Sequence, residues 1–270
     1  MKYVVSQRAL ETMEWECRKF PDAETGGILV GFKDSQRTAI THATGPGPKA
    51  DRSQHHFTKD TPYLQAVLNL LFQYYQVNYL GVWHKHPLGM PFPSGGDILS
   101  AMEEVDDPKM ELDKLITPIC VMSGSSVEIL PFVIAGGRYQ PMGWEVLPHD
   151  QLVPQAPDAA QWYTTTVGQS RLAQEMAEFE GLGVSPDVRK GNDGTYRFHV
   201  PLGTEPSKRM VMLCQGDYPV SPPEVAIYDP KTKKYEPLNS PILNDWNIYQ
   251  LLGDLYREYQ GAALADFSEG

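Results

Sequence analysis

The chain changes character near residue 148, and that break limits the possible folds more than any other feature. "LPHDQLVPQAPDAAQ" (Leu147 to Gln161) is rich in proline, alanine and polar residues and reads as a linker. In 270 residues, such a break leaves two domains of ordinary size. The expected division is a first domain over 1–147, a linker over 148–165, a second domain over 166–262 and a loose tail over 263–270.

The first segment mixes helix and strand signals. Apolar residues at Leu10, Met13, Trp15, Cys17 and Phe20 predict a helix over 6–20. "ETGGILVGF" and "RTAITHATGP" read as strands, and "PYLQAVLNLLFQYY" as an amphipathic helix with proline in its first turn. "NYLGVWHKHP" reads as a strand stopping at Pro87, and "SGGDILSAMEEV" as a helix with Ser94 as its N-cap. "ITPICVMSG" and "SVEILPFVIAGG" read as a pair of strands. The second segment reads as a helix ("SRLAQEMAEFEGL"), three strands ("TYRFHVPL", "RMVMLCQG", "PEVAIYDP") and a closing helix ("DWNIYQLLGDLYREYQG").

Charge narrows the function. With 23 Lys and Arg against 34 Asp and Glu, the net charge is −11, which speaks against nucleic acid as a partner. An acidic surface suits a basic or mixed protein surface instead. Three scattered cysteines, Cys17, Cys120 and Cys214, do not form a disulfide framework or a cysteine metal knuckle and fit a reducing cytoplasm. The N-terminus lacks the apolar run of a signal peptide, and no stretch approaches a membrane span, so no membrane role is expected.

"GVWHKHPLGMPFPSGGD" (Gly81 to Asp97) carries the chemistry. On a strand, His84 and His86 project to one side and Lys85 to the other. With Asp97 from the next helix they offer two nitrogens and one carboxylate, leaving a position open as in catalytic zinc sites. Such an ion lowers the pKa of its bound water to about 7 and polarises a carbonyl. The plainer reading is that Ser94 and Asp97 form a capping box and the histidines do nothing special. A zinc-activated water also needs a base, and Glu24 in "DAETGGILVG" begins a strand that can lie beside the histidines. Taken alone, Glu24 is a surface glutamate before a turn.

Together, Glu24 with "TGGILVG", "ATGPGP" (Ala43 to Pro48) and "HKHPLGMPFPSGGD" resemble the JAB1/MPN (JAMM) metallopeptidase family, prokaryotic type, over roughly residues 1–145. The resemblance implies an α/β fold with a cytidine-deaminase-like core. It implies a zinc isopeptidase, deubiquitinase-like, cleaving after the C-terminal glycine of ubiquitin or a ubiquitin-like protein. Carried over by position, His84, His86 and Asp97 become ligands of one zinc ion, Glu24 the general acid/base, and Ser94 a donor to the oxyanion. His55 and His56 read as loop histidines, with the cleft rim as the alternative. His42, His149 and His199 read as structural.

"YPVSPPEVAIY" and the order helix, strands, tryptophan, helix resemble the ubiquitin-conjugating enzyme fold and its RWD relatives over about 168–260. This implies an α+β UBC-like domain after the JAB1/MPN core. The stretch "KTKKYEPLNSPILNDW" departs from that fold in having no cysteine, and Cys214 lies within an apparent strand. The second domain is therefore expected to bind rather than catalyse. The implied partners are a ubiquitin-like protein, its conjugated target, and an activating or conjugating enzyme. The pairing resembles bacterial ubiquitin-like modification systems, some tied to antiviral defence. A processing peptidase for a sulfur-carrier protein and a non-catalytic scaffold are the alternatives.

Overall fold

A computed structural model describes residues 2–87, 89–153, 162–191, 195–202 and 208–268, with side chains to residue 262. The chain forms two compact units, Met1–Gln155 and Ala156–Gly270. Among the described residues no helix is long and apolar enough to cross a membrane.

In the first unit, β1 (Lys2–Ser6) leads into α1 (Gln7–Lys19). The Ser6 side chain caps this helix by accepting from the Ala9 amide at 3.0 Å. Next come β2 (Thr25–Lys33), β3 (Arg37–Ala43) and a small hairpin of β4 (Asp51–Arg52) and β5 (Phe57–Thr58). Then follow α2 (Thr61–Tyr75), β6 (Asn78–Lys85) and α3 (Gly95–Asp106). The remaining strands are β7 (Leu115–Ile116), β8 (Ile119–Ser123), β9 (Ser126–Leu130), β10 (Phe132–Ala135), β11 (Arg138–Pro141) and β12 (Glu145–Leu147), before α4 (His149–Leu152).

These strands build one mixed, curled sheet in the order β11-β10-β7-β6-β2-β3-β1-β12, with β8 on β6 and β9 on β8. The two strands expected from "ITPICVMSG" and "SVEILPFVIAGG" are split into four. Pro118 and Pro131 carry no amide hydrogen, so the ladder breaks at both. β8 pairs β9 and β7 pairs β10 on either side of the gap.

The sheet is covered on both faces. Ala9, Met13 and Cys17 of α1 pack against Val5, Leu29, Ile40 and Trp83. Ala101 of α3 packs with Leu115 and Ile134, beside Tyr79 and Val82. Alternation along β6 therefore aims Trp83 and Lys85 toward α1 and Val82 and His84 toward α3.

β2 and β6 run antiparallel, with Gly26 opposite His84 and Thr25 opposite Lys85. A Cβ on Gly26 would collide with the Trp83 carbonyl and come within 2.7 Å of the Phe57 ring and 2.8 Å of the His84 Cβ. A Cβ on Gly27 would strike the Thr44 carbonyl. The glycine pair of "TGGILVG" is thus a close-packing requirement.

The second unit begins with a short 3-10 turn (Trp162–Thr164) and α5 (Thr166–Gly181). An antiparallel meander follows in chain order: β13 (Asp187–Lys190), β14 (Tyr196–Pro201), β15 (Arg209–Cys214), β16 (Glu224–Asp229) and β17 (Lys234–Pro237). α6 (Pro241–Asn244) and α7 (Leu252–Ser268) close it. The core holds Phe179, Phe198, Met210, Met212 and Cys214, all fully buried. A buried Arg171 binds Glu175 at 2.6 Å and the Ile248 carbonyl at 2.6 Å, and Glu175 accepts from the Leu252 amide at 2.7 Å. This network ties α5 to the entry of α7.

The expected boundaries shift for identifiable reasons. Residues 149–152 are helical, and buried Leu152 packs with Val4 and Ala39, so this part of the expected linker belongs to the first unit. Trp162 is fully buried against Tyr163, Tyr196 and Tyr218, so the linker's other end belongs to the second. Its middle, 154–161, lies outside the described residues. The tail expected to be loose is helical through Ser268, as its Ala- and Leu-containing sequence lets α7 propagate; residues 269–270 lie outside the described residues.

Gly26→Ala should destabilise the chain by about 2 kcal/mol or more, because the displaced atoms are backbone and packed core. Urea unfolding measures it, and an unchanged midpoint would contradict the close-approach argument.

Candidate metal centre

Strand β6 ends at Lys85, two residues before Pro87. His86 lies just beyond the strand, yet its amide still donates to the Cys120 carbonyl of β8 at 3.0 Å. Pro87 has no amide hydrogen, so the ladder stops there. On the α1 side, the fully buried Lys85 ammonium donates to the Phe20 carbonyl and to the Pro21 carbonyl at 2.8 Å. Burial lowers its pKa. This anchor fixes the segment leading from α1 into β2.

On the α3 side, the Nε2 atoms of His84 and His86 are 2.7 Å apart. Asp97 faces both: Oδ1 lies 3.2 Å from His84 Nε2, and Oδ2 lies 3.4 Å from His86 Nε2. These ligand-type atoms all fall within 4.8 Å of one another. His86 Nδ1 lies 2.9 Å from the Met90 carbonyl. A carbonyl only accepts, so Nδ1 carries the proton, and in the neutral ring Nε2 presents its lone pair to the cluster. Metal-ligating histidines are oriented by such a backbone partner. The donor set of two imidazoles and a carboxylate therefore fits a divalent metal ion.

Asp97 is also the third residue of α3, in a reciprocal capping box. Asp97 Oδ2 accepts from the Ser94 amide at 2.5 Å, and Ser94 Oγ accepts from the Asp97 amide at 3.2 Å. Accepting that bond leaves the Ser94 hydroxyl proton available to donate.

Glu24 immediately precedes β2 and is half-buried. Its amide donates to the Ser53 carbonyl of the β4–β5 hairpin at 2.7 Å. That hairpin is anchored by Arg52, which binds the buried Glu16 at 2.9 Å, while Thr25 donates to the same Glu16 oxygen at 2.6 Å. A helix, a strand start and a hairpin thus lock together beside Glu24. Sequence reading gave no role to Glu16 or Arg52, which stand 36 positions apart.

Glu24, Ser94 and the three ligand-type residues line one cleft of about 670 Å3. The hairpin tip, with the exposed His55 and His56, lines it too. Lys59 and Glu104, unremarked in the sequence, also line it.

Burial works against charge on Asp97. Hydrogen bonds from the His84 and His86 rings in their protonated form, and from Ser94, outweigh it and hold the carboxyl well below the usual carboxylate range. Burial also opposes charge on His86, but its bonds to Asp97 and the Met90 carbonyl, with the Glu24 charge nearby, raise its pKa.

Residues 6–138 match the family described as "Prokaryotic homologs of the JAB domain". Over 99 residues (36% of this chain) the sequence is 31% identical to the CD-NTase/cGAS isopeptidase of Escherichia coli (strain TW11681), covering 64% of that protein. Over 99 residues it is 35% identical to the CD-NTase/cGAS isopeptidase of Enterobacter hormaechei subsp. hoffmannii (strain UCI 50), covering 54% of that protein and 36% of this chain. Over 89 residues it is 28% identical to "Probable metalloprotease y4qB" of Sinorhizobium fredii (strain NBRC 101917 / NGR234), covering 52% of that protein and 31% of this chain. The chain therefore spans 52% to 64% of the length of these relatives. The family match ends at residue 138, inside the first unit.

Metal and proton compete for the same histidine lone pairs. Because the pKa of His86 is raised, metal affinity should already be falling above the pH at which an ordinary histidine protonates. Titrating zinc into the protein from about pH 8 to about pH 5.5 tests this, with a loss of up to ~10-fold per pH unit for each competing proton. Affinity that is flat over this range would mean that the histidines are not ligands.

Proposed function

We propose, from the JAB-type domain of residues 6–138, that this chain is a zinc-dependent isopeptidase. Its substrate would be a protein joined through a C-terminal glycine to an amine on a target, as in a CD-NTase or ubiquitin-like system. The observation that carries this reading is the convergence of His84, His86 and Asp97 in a cleft that also holds Glu24 and Ser94. The isopeptidase and metalloprotease names of the relatives support it.

His84, His86 and Asp97 would hold the zinc ion. When bound, zinc supplies a Lewis acid that polarises a carbonyl and makes water a better nucleophile. Glu24 takes a proton from the attacking water as its oxygen bonds to the scissile carbonyl carbon. It then delivers that proton to the amine nitrogen as the C–N bond breaks. The hydroxyl of Ser94 donates to the oxygen on which negative charge develops. The hairpin tip and α3 confine the substrate to an extended path, which suits a glycine tail with no side chain to accommodate.

We assign the second unit a binding role in this reading. Its order of helix, antiparallel meander and helices supports the likeness to a conjugating-enzyme domain. Cys214 is fully buried on β15, and burial pushes its thiol pKa well up, which does not suit a nucleophile.

Elemental analysis after zinc loading should give about one zinc per chain in the wild type and near none in His84→Ala. Glu24→Gln should keep its zinc and lose about 10²- to 10⁴-fold in cleavage of a glycine-linked isopeptide. A zinc-free folded wild type, or full activity in Glu24→Gln, would sink this proposal.

A further inference from the structure

The cleft has a second polar feature, away from the metal cluster. Along α3, Asp97, Ser100, Ala101 and Glu104 line the cleft, as their three- and four-residue spacing on one helix face requires. Asp97 stands at one end of this face and Glu104 two turns on, about 10 Å along the helix axis.

The carboxylate of Glu104 is firmly held on one side only. Tyr79 of β6 donates its hydroxyl to Oε2. Burial, then the charge of Glu104, raises the Tyr79 pKa, so the phenol remains a donor. Oε1 faces Lys59, on the hairpin side of the cleft, at 3.6 Å. That is longer than a charge-assisted hydrogen bond, and both side chains are about a third exposed, at 32% and 29%. An exposed lysine pair of this kind contributes little and exchanges easily.

We propose that Glu104 is a specificity-determining residue, taking a lysine or arginine side chain of the acyl-side tail of the substrate in place of Lys59. This rests on the isopeptidase reading. The cleft is walled by α3 and the hairpin, so it admits an extended chain. The acyl side of an isopeptide is such a tail, whereas the amine side is a lysine of a folded target. At roughly 3.3 Å per extended residue, about 10 Å corresponds to about three residues. The basic residue therefore sits three or four positions before the scissile amide.

Two peptides test this, each ending in Gly-Gly linked to the side-chain amine of a fluorescent lysine. One carries Arg and the other Glu at the third and fourth positions before the scissile bond. With zinc-loaded full-length protein, the Arg peptide should be favoured by about 10-fold in kcat/KM, mostly through KM. Glu104→Gln should bring the ratio close to one, and Glu104→Lys should invert it. Tyr79→Phe, which removes the hydroxyl that fixes Glu104, should narrow the ratio. Unchanged melting temperatures would show that the variants are folded.

Anisotropy measurements of the same peptides on the zinc-loaded Glu24→Gln chain give a readout without turnover. An Arg preference in binding with no cleavage by the wild type would leave the subsite standing and remove the isopeptidase reading. Equal binding and cleavage of both peptides, or a ratio unmoved by Glu104→Lys, would overturn the subsite. So would a preference that appears only when the Arg flanks the acceptor lysine.

Discussion

The chemistry of the first unit depends on how closely β2 can lie against β6. At Gly26 the strand has no side chain, so the Trp83 carbonyl, the His84 Cβ and the Phe57 ring all crowd the place where one would stand. That approach makes the ladder that sets Thr25 opposite Lys85 and Gly26 opposite His84. One residue further out, Glu24 lines the same cleft as the histidines. Protein interiors are close-packed, so a strand cannot be moved aside without moving what it carries. The Lys85 anchor on one face and the Arg52–Glu16 pair at the hairpin hold the arrangement from behind.

Asp97 resolves a conflict that the sequence leaves open. A capping box and a place in a ligand-type cluster are rival explanations for S-x-x-D, yet here one carboxylate makes both. The cap fixes the first turn of α3, and a fixed turn holds the carboxylate against both imidazoles. Helix geometry then spaces the rest of the cleft wall from that point, so that Glu104 falls two turns away and on the same face. A carboxylate held this way stays ionised despite burial, because its hydrogen bonds favour the charged form.

What could be read from the sequence follows from the range of each interaction. The alternation of His84 and His86, the Ser94 cap and the helix with Pro62 in its first turn are local, and periodicity, capping or proline placement exposes them. The hairpin of β4 and β5 consists of two-residue strands, too short for any period. Glu16 and Arg52 meet only because the fold brings α1 to the hairpin. In the second unit, β14, β15 and β16 alternate and were legible. β13 ("DVRK") and β17 ("KYEP") are edge strands, and their charged, largely exposed residues hide the pattern. Lys59 and Glu104 look like ordinary surface charges until the cleft places them together.

The thiols limit what the second unit can contribute. All three cysteines of the chain are free and buried. Cys17 and Cys120 lie in the core between α1 and the sheet, and Cys214 faces the core of the meander. A thiolate nucleophile needs exposure and a lowered pKa, and burial works against both. Burial thus leaves none of the three thiols placed for thioester chemistry in the folded state. Under the proposed function, the covalent step belongs to the oxygen and nitrogen donors of the first unit. A tethered partner can still accelerate that step without touching it, by raising the local concentration of a substrate it holds. In that reading the second unit would serve in this way, since a surface that recognises a modifier or its target does not need a cysteine.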